Sequence, residues 1–177
     1  MYRLKNVLRP YAWGSATAMA ELFGREPSGG PEAELWIGAH PDSPSSMLLP
    51  GGTEQRLDAF IAAQPEPALG DETIRRFGTK LPFLAKVLAA DSALSLQVHP
   101  TREQAQAGYA AENAARIPAG APGRSYKDGN HKPEMIYALT SFEALCGFRQ
   151  PRDAARLFLG LRGRLDAAGA DTALLDR

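Results

Sequence analysis

Apolar and polar positions alternate strictly over Leu94-Ser95-Leu96-Gln97-Val98-His99, the period of a strand with two unlike faces. Leu94, Leu96 and Val98 share one face, Ser95, Gln97 and His99 share the other, and Pro100 ends the run. The period then changes. Thr101 with Gln104 has the spacing of a capping box and predicts a helix to about Arg116. Upstream, Ser15 caps a helix expected over about 16–23, with Gly24 as its stop. Glu34-Leu35-Trp36-Ile37-Gly38 reads as a strand that the turn residues up to Pro44 break, and Gly51-Gly52 marks a turn. Leu57, Phe60 and Ile61 recur at helical spacing, and a second short helix is expected over 72–77. The apolar run 81–89 reads as a buried strand that carries Lys86. Residues 134–139 and 142–148 are further strand candidates, and a Pro/Gly loop occupies 117–123. From Pro151 the apolar positions Ala154, Leu157, Phe158 and Leu161 return to helical spacing.

Composition narrows the class. The chain has 177 residues, 44% hydrophobic and 23% charged, enough to bury a core of ordinary size. Lys plus Arg number 20 and Asp plus Glu 20, so no net field draws it to nucleic acid or an anionic membrane. Cys146 is the single cysteine, which excludes an internal disulfide and fits a reducing compartment. No apolar run follows the first residues as a signal peptide requires, and none approaches the ~18 residues of a membrane span. A cytoplasmic location is expected.

Two readings of the Ser95/Gln97/His99 face stand side by side. It is the wet side of an edge strand, or it lines a polar pocket. The loop Tyr126-Lys127-Asp128-Gly129-Asn130-His131-Lys132-Pro133-Glu134 concentrates ionisable groups before a strand candidate, where sites tend to be built. Imidazole, carboxylate and amide oxygen together suit Zn²⁺, and equally Mn²⁺ or Fe²⁺. Lys86 either snorkels its ammonium to the rim or serves as an anion anchor. Trp13 and Trp36 read first as packing residues, Glu34 as an exposed strand carboxylate, and His40 and His131 as loop histidines. Arg149, Arg152 and Arg156 read as a solvated charge run.

Five segments then converge on one family. Tyr11-Ala12-Trp13-Gly14, Glu34-Leu35-Trp36-Ile37-Gly38-Ala39-His40-Pro41, Leu94 to Pro100, Asp128 to Met135 and Leu145-Cys146-Gly147-Phe148-Arg149 resemble the type I mannose-6-phosphate isomerases, in that family's order over about residues 1–150. The resemblance implies a mainly β fold, a cupin-type jelly-roll barrel with added helices, followed by the start of an α-helical insertion. Residues 1–150 then form the zinc-binding catalytic part and 151–177 the beginning of the insertion. It implies one Zn²⁺ and interconversion of mannose 6-phosphate with fructose 6-phosphate through an enediol. By position, Gln97, His99 and Glu134 match zinc ligands and Lys132 an active-site lysine. Lys86 and Ser95 match the phosphate end of the pocket, and Trp13 and Glu34 its wall. The implied partner is a small sugar phosphate bound by a monomer, with neither nucleic acid nor membrane.

The family's fourth ligand is a histidine that follows the helical insertion, and an arginine follows it. The histidines here are His40, His99 and His131, so that ligand is expected beyond residue 177, and the 177 residues alone are expected to bind zinc weakly and turn over little. Two readings compete. One is a non-catalytic cupin-like module that binds sugar. The other is a cupin oxygenase using Fe²⁺, against which Gln97 in a histidine's place argues.

Overall fold

A computed structural model describes residues 1–173. The chain forms two compact units, one of residues 1–98 and one from His99 onward.

The first unit holds two antiparallel sheets of three strands each. One has the order β1 (Arg3–Lys5), β4 (Ser46–Leu48), β5 (Glu54–Arg56); the other β2 (Val7–Arg9), β3 (Glu34–Ile37), β6 (Ala85–Leu88). β1 and β2 are separated by Asn6 alone, so the chain changes sheet at that residue. A hydrogen-bond hub fixes the change. The fully buried Ser45 Oγ donates to Asn6 Oδ1 at 2.9 Å and accepts from the Gly38 N–H at 3.1 Å. Its backbone N–H reaches the Gly38 carbonyl, and its carbonyl receives the Leu57 N–H, each within 2.9 Å. A buried hydroxyl with every bond made specifies a corner that an apolar residue could not.

β4 and β5 are joined through Gly51 and Gly52, both at positive φ, which favours glycine. Helix α1 (Ala18–Leu22) is shorter than expected, yet Ser15 Oγ does receive the N–H groups of Thr17 and Ala18. α2 (Leu57–Ala63), α3 (Pro65–Leu69) and α4 (Asp71–Phe77) follow β5. The core gathers Met19, Ala20, Ala33, Trp36, Met47 and Ile61. Gly14 bridges Ala90 and lies so close to Ala33 that a Cβ there would stand 2.5 Å from the Ala33 backbone. Arg25 grips the buried Glu32 through both guanidinium ends, beside the Ser15–Glu32 bridge.

The second unit is built on α5 (Arg102–Ala114) and α6 (Pro151–Ala167). The capping box is present as expected: Thr101 Oγ1 receives the Gln104 N–H, and Gln104 Oε1 the Thr101 N–H. α5 ends in a Schellman motif, with Ile117 N–H on the Glu112 carbonyl and Arg116 in the left-handed region. Gly108, a weak helix former in mid-helix, is explained by the Tyr126 ring, which occupies the space of a Cβ.

Several expectations are corrected. The segment 94–99 forms no strand despite its alternation, and Leu96 and Val98 are exposed. Residues 134–139 and 142–148 are likewise not strands, and Met135, Tyr137 and Leu145 lie open. A strand needs a ladder partner, and among the described residues these segments have none. The run 81–89 shortens to β6 and is not buried. Among the described residues the sheets do not close into a barrel. The expected helical start at 151 is seen as α6, whereas the last part of that expectation, residues 174–177, lies outside the described residues.

Candidate functional site

In the first unit β3 places its polar side chains. Glu34 and Trp36 are two residues apart, so both project from one face. The ladders set their neighbours: Arg9 stands opposite Glu34 on β2, and Lys86 opposite Trp36 on β6. Glu34 Oε2 accepts the Trp36 Nε1–H at 2.6 Å and lies 3.4 Å from Lys86 Nζ. Glu34 is therefore a buried carboxylate, 7% exposed, and not the exposed strand residue expected of it. Burial of a charge is tolerated because a donor and a cation meet it. Lys86 Nζ stands 4.9 Å from the centre of the Trp36 ring, and the Arg9 guanidinium 5.1 Å from the same ring. Arg9 also donates to Ser43 Oγ and to the Tyr11 hydroxyl.

A cleft of about 240 Å³ opens beside this cluster. Tyr11, Trp13, Glu34, Trp36, Lys86, Leu94, Ser95 and Gln97 line it, with the Tyr11 and Trp13 rings stacked 5.8 Å apart. The structure thus brings together Trp13, Glu34, Lys86, Ser95 and Gln97 of the residues singled out in the sequence. Flat rings, hydroxyl and amide groups, one ammonium and one carboxylate suit a small hydroxylated molecule with an anionic end.

The second unit holds the other group. His99 Nε2 and Glu134 Oε2 are 3.3 Å apart. Lys132 Nζ lies 3.7 Å from Asp128 Oδ2, and His131 Nε2 3.4 Å from an Arg102 nitrogen. The loop before them is fastened to α5. The buried Arg124 donates to the Tyr126 and Ile117 carbonyls and to Asn113 Oδ1. The Glu112 carboxylate receives the N–H groups of Ser125 and Tyr126, which with Arg124 nearby hold it below the usual carboxylate range. Asp128 Oδ1 receives the Asn130 N–H at 2.8 Å and sets the turn that precedes Lys132.

The His99–Glu134 separation fits a shared metal ion. Two donors each about 2.1 Å from a tetrahedral ion stand about 3.4 Å apart. The same distance also serves an ion pair once the imidazole is protonated. Among the described residues no group of three or more His, Cys, Asp or Glu side chains is placed to hold a metal. A site here would therefore need a donor of another type.

Tyr11, Arg9 and Leu94 went unselected in the sequence. Tyr11 had a signal, its two-residue spacing from Trp13 at the end of β2. Arg9 had none, because its role depends on the register with β3. His40, read as a loop histidine, packs edge-on to Trp36 at 5.0 Å and accepts the Asp42 N–H.

The family profile for phosphomannose isomerase type I, catalytic domain, matches residues 1–151. The mannose-6-phosphate isomerase of Escherichia coli (strain K12) is 46% identical over 164 residues, 92% of this chain and 42% of that protein. The Mus musculus enzyme is 39% identical over 158 residues, 84% of this chain and 35% of that protein. The solved mannose 6-phosphate isomerase of Salmonella typhimurium bound to fructose 6-phosphate and zinc superposes with a TM-score of 0.67 at 47% identity, covering 75% of this chain and 33% of that one. The chain thus spans about two-fifths of the length of the first of these curated relatives, 42% of it.

Proposed function

The chain belongs to the type I phosphomannose isomerase family, and we therefore propose that the whole protein interconverts mannose 6-phosphate and fructose 6-phosphate with a bound zinc ion. The observation that carries this reading is the identity over 92% of the chain together with a cleft of the right chemistry. Gln97, His99 and Glu134 are the residues that would hold the ion. Zinc, when bound, polarises a sugar oxygen and stabilises negative charge that develops on it.

The chain's own residues then have separate tasks. Lys86 and Ser95 take the phosphate, as a point charge and a hydroxyl donor. Trp13 and Glu34 form the wall against the sugar. Lys132 moves the proton between the two adjacent carbons through an enediol. Lys132 Nζ lies 3.7 Å from Asp128 Oδ2. We take the two small sheets as parts of a cupin-type barrel, with residues 1–150 as the catalytic part and the chain from 151 as the start of a helical insertion. The exposed, alternating segment 94–98 supports this, since it has the period of a strand and, among the described residues, no ladder partner.

Isomerisation in deuterium oxide tests the enediol step. Deuterium carried from solvent onto the carbon next to the carbonyl supports it, and no solvent label even after many turnovers at equilibrium contradicts it.

A further inference from the structure

Of the residues that line the cleft, two are charged, and they face each other: Lys86 Nζ and Glu34 Oε2 at 3.4 Å. Both polar contacts of Glu34 fall on this one oxygen, the second being the Trp36 Nε1–H. The carboxylate is buried, and Lys86 is half-exposed toward the opening. An ammonium built only to attract phosphate would not need a buried anion beside it.

We infer that Glu34 is a specificity-determining residue: by offsetting the charge of Lys86 it keeps bare inorganic phosphate from being held in the cleft, and so favours ligands that also bring a hydroxylated body. This rests on the reading of Lys86 as the phosphate anchor. The sign follows from Coulomb's law. An oxyanion at about 2.8 Å from Nζ can be no farther than about 6 Å from Glu34 Oε2, given the 3.4 Å between them. At equal charge and screening, repulsion therefore cancels about half of the attraction or more. Arg9, the nearest further cation at the Trp36 ring, is committed to Ser43 and Tyr11. Removing the charge of Glu34 does not free the lysine, because the Trp36 ring and the β3–β6 register still hold it. Loss of repulsion thus outweighs loss of a tether. A sugar phosphate gains rings, hydroxyl and amide contacts from the same cleft, which a bare phosphate cannot use.

The test is calorimetric titration of inorganic phosphate into the whole protein at pH 8, with fructose 6-phosphate titrated in parallel. Glu34→Gln keeps an acceptor for the Trp36 indole, and near-ultraviolet circular dichroism checks that the cleft is intact. Expected is about ten-fold tighter phosphate binding in Glu34→Gln, at most about two-fold change in Glu34→Asp, which keeps the charge, and no effect of Glu34→Gln in a Lys86→Met background. Unchanged or weaker phosphate binding in Glu34→Gln, while Lys86→Met weakens it, overturns the inference and leaves the anchor reading standing. Phosphate binding indifferent to Lys86→Met overturns both. Should Glu34→Gln misfold, Glu34→Asp decides: its carboxylate shortened away from Nζ must not weaken phosphate binding, and a weakening of ten-fold or so overturns the inference.

Discussion

His99 Nε2 meets Glu134 Oε2 at 3.3 Å, although one precedes α5 and the other follows the loop fastened to that helix. The contact depends on two local devices. The Thr101–Gln104 box fixes where α5 begins, directly after His99, and Glu112 with Arg124 ties down the loop that leads to Glu134.

His99→Ala in the whole protein is expected to lose bound zinc and turnover together. Zinc per chain after gel filtration, read by atomic absorption, should fall from about one to near zero, since removing one of few donors costs a site most of its affinity. Unchanged zinc content would remove His99 from the ligand set.

Lys132→Met should keep zinc and lower turnover by about 10²–10⁴-fold, the range for a lost proton-transfer group. Lys86→Ala should act differently and mainly raise KM. Steady-state kinetics on both variants separates the roles. Equal effects on kcat and KM in the two would show that the lysines are not divided as proposed.

Glu32 gives a pH dependence with a definite sign. The Arg25 hydrogen bond, then that of Ser28, lowers its carboxyl from 4.5 to about 2. Its contribution to stability is therefore complete above about pH 4.5 and is lost as pH falls toward 2. Arg25 stays charged throughout this window, its own pKa being raised, first by the hydrogen bond to Glu32. Urea unfolding from pH 6 to pH 3 should show stability falling in the native chain, with a shallower fall in Glu32→Gln. Parallel slopes would contradict the assignment.

Two backbone devices can be tested by stability alone. Thr101→Ala should cost about 1 kcal/mol as a lost helix cap. Gly14→Ala should cost about 1–3 kcal/mol, because its Cβ meets the Ala33 backbone and not a side chain that can swing away. Chemical denaturation measures both, and a neutral Gly14→Ala would show that the close approach to Ala33 gives way easily.

What the sequence revealed followed the range of the interactions. The cap at Thr101, the turn at Gly51-Gly52 and the helix at Leu57 depend on near neighbours and were legible. β1, β2, β4 and β5 are three residues each, too short to display a period. The alternation over 94–99 stated which side chains share a face, and Ser95 and Gln97 do line the cleft together. It could not state a partner, since ladder pairing is made elsewhere in the chain. Glu34 looked exposed for the same reason: its burial comes from the Trp36 indole on its own face and Lys86 across the ladder.

The proposed function is zinc-dependent sugar-phosphate isomerisation. It is tested most directly by following mannose 6-phosphate conversion in the whole protein before chelation, after chelation and after zinc is restored. Fructose 6-phosphate should form, stop forming when the metal is removed, and form again with about one zinc per chain. Undiminished conversion without metal, or sugar-phosphate binding with no conversion when zinc is bound, would contradict it.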